Sequence, residues 1–318
     1  MRLPVVVGFR LPEPVEREFQ ARLDARFLDV FPRDEGGLKA ALDGAAALVV
    51  TPPIKADAWL FEHLPDSIKA IATYSVGLDH VDLAAARRRG LPVVHTPDVL
   101  TDAVAETAML LLLSAMRRAT ESIVLIRSRQ WQGWNPRQII GQGLDGKTLG
   151  ILGMGRIGRG IAARARAFGM AIAYSNRHRL PPTLDNGATF HDTPETLLPI
   201  CDALVLACPL TPETRGFLNA RRIALMKPSA AVVNIARGDV IVDDDLIAAL
   251  AEGRLFAAGL DVFAGEPRID ARYFDLPNVF MLPHIGSSTI ETRLAMGRAV
   301  IDGLIAVLSG SRPPNLVA

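Results

Sequence analysis

Residues 148–158 read TLGILGMGRIG, an apolar run that ends in Gly153-Met154-Gly155-Arg156-Ile157-Gly158 and leads into a helical pattern. In such a stretch the first glycine permits a tight turn and the second lets backbone approach a pyrophosphate. The third packs helix against strand, and the helix N-terminus offers N–H donors to the anion. A bare GxGxxG is a weak sign. A strand before it, a helix after it and a second strand at the expected offset make it a dinucleotide site; the bland alternative is three turn glycines without a ligand. The second strand ends in Tyr174-Ser175-Asn176-Arg177-His178-Arg179. Sites for NAD usually place an acid there, on the ribose 2′-hydroxyl. Here Asn176 stands instead, followed by Arg177 and Arg179. A carboxylate would repel a 2′-phosphate, whereas guanidinium groups bind it, often through paired hydrogen bonds. NADP is therefore the expected preference, with NAD as the alternative; read blandly, both arginines are solvated surface charges.

Elements able to carry this turn run through the chain. Short apolar strands alternate with amphipathic stretches: Leu3–Val7, Ala47–Val50, Lys69–Thr73 and Leu91–His95, with helical patterns at Val15–Asp24 and Val81–Arg88. A long helical run, Asp102–Arg129, and the loop WQGWNPRQIIGQG follow. A second series then has strands at Thr148–Leu152, Met170–Tyr174, Ala203–Ala207, Ala230–Asn234 and Ala257–Leu260, and a last helix at Ser288–Leu308. Such alternation predicts α/β architecture with parallel sheets. Asp243-Asp244-Asp245 precedes an apolar helical run and reads as an N-cap.

The bulk properties narrow the function. With 318 residues, two domains are expected. Lys and Arg total 35 against 34 acids, so no basic field speaks for nucleic acid. The longest apolar run, Ala103–Met116, is broken by Glu106 and is the length of a buried helix, not a membrane span. Cys201 and Cys208 show no zinc spacing and suit a reducing cytosol. His63, His80, His95, His178 and His191 show no ligand spacing either, so no metal is expected.

The sequence resembles the D-isomer-specific 2-hydroxy acid dehydrogenases over nearly its whole length. The likeness rests on Thr73–Asp82 (TYSVGLDHVD), Gly153–Gly158, Cys208–Gly216 (CPLTPETRG), Asn234–Val240 (NIARGDV), Gly259–Pro267 (GLDVFAGEP) and Leu282–Ser288 (LPHIGSS), in that family's order. Within the family it leans toward glyoxylate/hydroxypyruvate and 2-ketogluconate reductases. The resemblance implies a flavodoxin-like substrate domain, residues 1–98 and 287–318, into which a Rossmann dinucleotide domain, 99–286, is inserted. It also implies an active site in the cleft and a homodimer formed by the helix after Pro97.

On the same ground Arg237 holds the substrate carboxylate and polarises the keto oxygen, His284 is the acid that protonates that oxygen, and Glu266 pairs with His284. Asp261 orients the nicotinamide carboxamide. Ser75, Val76 and Gly77 offer backbone N–H groups to the carboxylate, with Ser287 nearby. Further cofactor contacts are implied at Arg156, Ile157, Cys208, Pro209, Thr214 and Ala236, and at Thr107 from the long helix. Trp134 is implied to reach the neighbouring subunit's site. The residue types suit this chemistry: imidazole donates a proton near neutral pH, a carboxylate partner keeps it loaded, and guanidinium matches a carboxylate. Taken singly, the three could equally be a loop histidine, a surface acid and a turn arginine.

Departures from relatives narrow the substrate. Formate dehydrogenases of the superfamily carry glutamine where Glu266 stands, and phosphoglycerate dehydrogenases a basic residue where Thr73 stands. A small unphosphorylated 2-keto acid is therefore expected, with 2-ketogluconate or an aryl-pyruvate as alternatives. A rival of another class is a dinucleotide-sensing corepressor resembling the C-terminal-binding proteins, which keep the same Arg, Glu and His.

Overall fold

A computed structural model describes residues 2–317. The chain divides into two units, Met1–Leu100 with Ser287–Ala318, and Thr101–Gly286. The first carries strands β1 (Pro4–Val7), β2 (Asp24–Phe27), β3 (Ala47–Val50), β4 (Ala70–Thr73) and β5 (Val93–Val94), all parallel, in the order β2-β1-β3-β4-β5. Every residue of β3 and β4 is buried, as expected of central strands covered on both faces. Its short helices begin at aspartates: Asp34, Asp57 and Asp82 each accept a backbone N–H from the first turn. Helices Glu13–Arg22 and Ile290–Leu308 pack side by side, and Gly297 allows it: a Cβ there would lie 2.7 Å from Val15 Cγ1.

The second unit carries β6 (Thr148–Leu152), β7 (Ala171–Ser175), β8 (Thr189–His191), β9 (Ala203–Leu206), β10 (Ala231–Asn234), β11 (Ala257–Leu260) and β12 (Val279–Met281). They form one parallel sheet in the order β12-β11-β10-β9-β6-β7-β8. Strand order reverses between β6 and β9, the switch point at which open α/β sheets bind ligands. Helix Thr101–Met116 covers β10 and β11, with its Leu111 carbonyl so near Gly259 that a Cβ there would sit 2.8 Å from it. Both units are doubly wound α/β domains.

Two expectations are corrected. The run 102–129 is two helices, Thr101–Met116 and Ala119–Arg127, broken at Arg118 with φ 52°. The break has a cause downstream in the chain: Gln142 N–H takes the Met116 carbonyl at 2.7 Å, ending the helix there. The three aspartates do not cap their helix. Val242 is the cap residue, and Asp243–Asp245 form the first turn, where they suit the positive end of the helix and bond to Tyr273, Arg272 and the Ala220 N–H.

Candidate active site

The chemistry-bearing loops of the second unit all leave the C-terminal ends of its strands. After β6, Gly153 adopts φ +98°, and a Cβ there would lie 2.7 Å from Ala207 C and Cys208 N, beyond β9. Gly158 crosses the Gly153 carbonyl so closely that a Cβ would sit 2.4 Å away. Gly155 differs: a Cβ would meet nothing within 4 Å. Two glycines therefore serve packing, while the middle one faces open space over a helix N-terminus, Arg156–Ala167, whose first-turn N–H groups lack helical partners. That cradle fits a pyrophosphate.

At the end of β7, Asn176 Oδ1 accepts the Met154 N–H at 2.7 Å, tying the strand end to the glycine turn. Arg177 and Arg179 are exposed, and neither makes an ion pair among the described residues. The Arg177 charge does reach Glu213, whose carboxyl is held low by the Thr211 hydroxyl first and by Arg177 last.

Three loops after β10, β11 and β12 bring the candidate catalytic groups together. His284 Nδ1 lies 2.8 Å from Glu266 Oε2, and Glu266 Oε1 accepts the Phe263 N–H at 2.7 Å. Burial pushes the Glu266 carboxyl up, but the His284 hydrogen bond, the Phe263 N–H and the charges of His284 and Arg237 outweigh it, and it falls below its ordinary range. The carboxylate is thus ionised at neutral pH and accepts only, so His284 Nδ1 carries the proton and Nε2 is the outward nitrogen. His284 holds φ 54°, a left-handed backbone uncommon outside glycine.

Asp261 fixes that backbone. Its carbonyl accepts the His284 N–H, and its carboxylate oxygens accept the Ile285 and Gly286 N–H groups, each at 2.8 Å. Burial raises the Asp261 carboxyl despite those donors. Arg237 sits on a turn clasped by Asn234, whose amide donates to the Arg237 carbonyl at 2.9 Å and accepts the Ala236 N–H at 3.0 Å. Gly238 then passes so near Phe263 that a Cβ would lie 1.8 Å from its carbonyl carbon. This close pass keeps the Arg237 turn beside the Glu266 loop. Asn234 and Gly238 were not singled out from sequence, although both lie inside NIARGDV.

The other expected cofactor residues have local work of their own. Burial pushes the Cys208 thiol up to about 11, so it is protonated at neutral pH. Thr214 bridges its loop, donating to the Pro209 carbonyl at 2.7 Å and accepting the Thr211 N–H at 2.8 Å. Thr107 donates to the Ala103 carbonyl at 3.1 Å, one turn back on its helix. Ala236 is buried. In the first unit, Ser75, Val76 and Gly77 follow β4, and Ser287 is half-buried. Trp134 is 85% exposed.

Residues 109–286 match the family described as "D-isomer specific 2-hydroxyacid dehydrogenase, NAD binding domain". A glycerate dehydrogenase from Hyphomicrobium methylovorum is 45% identical over 267 residues, 83% of each chain. A Polaromonas structure described as a D-isomer-specific 2-hydroxyacid dehydrogenase superposes with a TM-score of 0.94 at 48% identity, covering 100% of both chains. A structure from Sinorhizobium meliloti described as an NADPH-dependent glyoxylate/hydroxypyruvate reductase in complex with NADP and malonate has a TM-score of 0.88 at 31% identity, over 100% of this chain and 97% of that one.

Proposed function

Since the chain belongs to the D-isomer-specific 2-hydroxyacid dehydrogenases, an enzyme family that binds a nicotinamide dinucleotide, we propose that it reduces glyoxylate or hydroxypyruvate to the D-2-hydroxy acid with NADPH as the preferred donor. The observation that carries this reading is the 2.8 Å contact of His284 with an ionised Glu266. The bound dinucleotide supplies the hydride. As the keto carbon is reduced, charge gathers on its oxygen; Arg237 stabilises that charge, and His284 Nε2 donates the proton that makes it a hydroxyl. Ionised Glu266 holds the ring by Nδ1. In the opposite direction the same nitrogen accepts the proton.

Support for NADPH comes from three features: Asn176 where an acid is customary, two exposed arginines without ion pairs, and the Sinorhizobium relative described with NADP. In the first unit, the backbone N–H groups at Ser75, Val76 and Gly77 would take the substrate carboxylate. The two free thiols suit a cytosolic enzyme, and among the described residues no helix is long and apolar enough to cross a membrane. Exposed apolar side chains on helix Ala119–Arg127 and in the following loop favour a homodimer, with Trp134 offered to the partner copy.

The test is steady-state turnover of glyoxylate, hydroxypyruvate, 2-ketogluconate and phenylpyruvate with each dinucleotide. The reading expects the highest kcat/KM for a two- or three-carbon acid with NADPH. A preference for 2-ketogluconate or phenylpyruvate would replace the substrate assignment, and parity of NADPH with NADH would remove the cofactor assignment.

A further inference from the structure

The segment after β4 has each of three successive carbonyls engaged. Ser75 C=O accepts the Thr96 N–H at 3.0 Å, Val76 C=O meets His95 Nδ1 at 3.2 Å, and Gly77 C=O accepts the Ser75 hydroxyl at 2.8 Å. A trans peptide is planar, with C=O and N–H on opposite sides. Fixing these carbonyls therefore turns the N–H groups of Val76, Gly77 and Leu78 away from the groups that hold them. Among the described residues none of those three N–H groups has an acceptor, and all three residues are half-exposed.

Proton counting gives the supporting bonds a direction. The Ser75 hydroxyl has one proton and places it on the Gly77 carbonyl. Its 2.7 Å contact with Thr73 Oγ1 must then be accepted from Thr73. With its own proton committed, Thr73 Oγ1 can only accept at its 2.8 Å contact with His80 Nε2. His80 must donate through Nε2–H, and the chain runs one way: His80 to Thr73 to Ser75 to Gly77 C=O. Thr73 and Ser75 are buried, where a broken link costs more than it would in water. At the second anchor a carbonyl can only accept, so His95 donates through Nδ1–H. The His95 backbone is itself clasped by Asn315, whose side-chain amide donates to the His95 carbonyl at 2.8 Å while the Asn315 backbone carbonyl accepts the His95 N–H at 3.1 Å.

We propose that His80 and Thr73 are positioning residues for the substrate carboxylate, holding the Gly77 carbonyl through this one-way chain while His95 holds the Val76 carbonyl, so that the N–H groups of Val76, Gly77 and Leu78 face the anion as a fixed set. This rests on the 2-keto acid reading above. It assigns work to two histidines that show no ligand or catalytic spacing in sequence, and it adds Leu78 to the donors.

Thr73→Val keeps the shape and removes both links; His80→Leu removes the first donor. Each should raise KM for glyoxylate about tenfold, the worth of one buried hydrogen bond, with kcat lowered less than threefold and NADPH affinity unchanged. Thr73→Ser and His80→Gln, which restore a hydroxyl and a donor near the Nε2 position, should return KM to within twofold of wild type. A merely structural role would move Tm without this split between KM and kcat or this rescue. Independently of turnover, nitrogen NMR of the wild-type protein should find His80 protonated at Nε2 and His95 at Nδ1. A bare His80 Nε2, or a Thr73→Val enzyme with wild-type KM, overturns the proposal; should Thr73→Val not fold, an unchanged KM in His80→Leu does so. Wild-type protein that reduces no 2-keto acid overturns the functional reading instead, and the NMR measurement then decides whether the chain exists.

Discussion

At the scale of residues, the site depends on which atoms are already committed. Glu266 has one oxygen on a backbone N–H and the other on His284, so Glu266→Gln keeps much of the geometry and removes the charge. Without that charge the ring loses its ionic partner at Nδ1, and kcat for keto-acid reduction should fall. An unchanged kcat would show that Glu266 only shapes the loop. The same carboxyl sits below its ordinary range, so the stability it contributes is present near neutrality and is lost as pH falls through that lowered value. Acid unfolding followed by Tm should accordingly be shallower in Glu266→Gln than in wild type.

Asn176 is committed as well, through Oδ1 to Met154 N–H. An aspartate can accept that same bond, so Asn176→Asp should leave the turn intact while repelling a 2′-phosphate, cutting NADPH efficiency by tenfold or more and sparing NADH. Arg177→Ala should weaken NADPH by about tenfold, a charged hydrogen bond being worth about 1.5–3 kcal/mol. Equal loss with both dinucleotides in Arg177→Ala would show the arginine to be a surface charge.

At the scale of elements, the sheets were legible where strands are buried, the edge strand Val93–Val94 included, and mostly illegible at their other edges. Ala47–Val50 and Thr148–Leu152 are continuous apolar runs, and the strands match the sequence reading residue for residue. The edge strands Asp24–Phe27 and Thr189–His191 were missed, because an edge covered on fewer sides needs few apolar residues: Asp24–Phe27 has no fully buried residue at all. Val279–Met281 was missed although all three of its residues are apolar, because three residues are too short a run to show a strand pattern. The split after Met116 was missed for a different reason. Its cause is a tertiary bond from Gln142, and no glycine or proline stands at Arg117-Arg118 to mark it. The site loops were legible through their motifs, but not what each residue does in them. Sequence alone gives no hint that Asp261 spends both carboxylate oxygens on the two N–H groups after His284.

Gly238 shows the same contrast between loops. Gly238→Ala would force the Arg237 turn off the Phe263 backbone, which cannot yield as a flexible side chain could. Overpacking of this kind costs about 1–3 kcal/mol, and the displaced guanidinium should raise KM and lower kcat together. Gly155→Ala, with open space around it, should instead leave Tm near wild type while weakening the dinucleotide. A Gly238→Ala enzyme with unchanged kinetics would separate Arg237 from the reaction.

At the scale of the whole molecule, Ile123, Val124 and Ile126 on one helix, with Trp131 and Trp134 beyond it, are exposed apolar side chains of the kind a partner copy would cover. Sedimentation should find a dimer, and Ile126→Glu should shift it toward monomer. If Trp134 serves the partner's site, monomerisation and Trp134→Ala should both depress activity. A wild-type monomer with full turnover would end the dimer reading.

The second unit begins at Thr101 and closes at Gly286, and those ends are neighbours: the Thr107 hydroxyl reaches the Gly286 carbonyl at 3.5 Å, and a Cβ on Gly286 would lie 3.5 Å from Val104. A segment whose beginning and end meet is portable. It interrupts its host at a single place, which is the condition under which one folded domain is grafted into a loop of another. The stretch Thr101–Gly286 could therefore be circularised by a short linker and reopened at a surface loop, carrying the glycine turn, Arg237, Glu266 and His284 in one covalent piece.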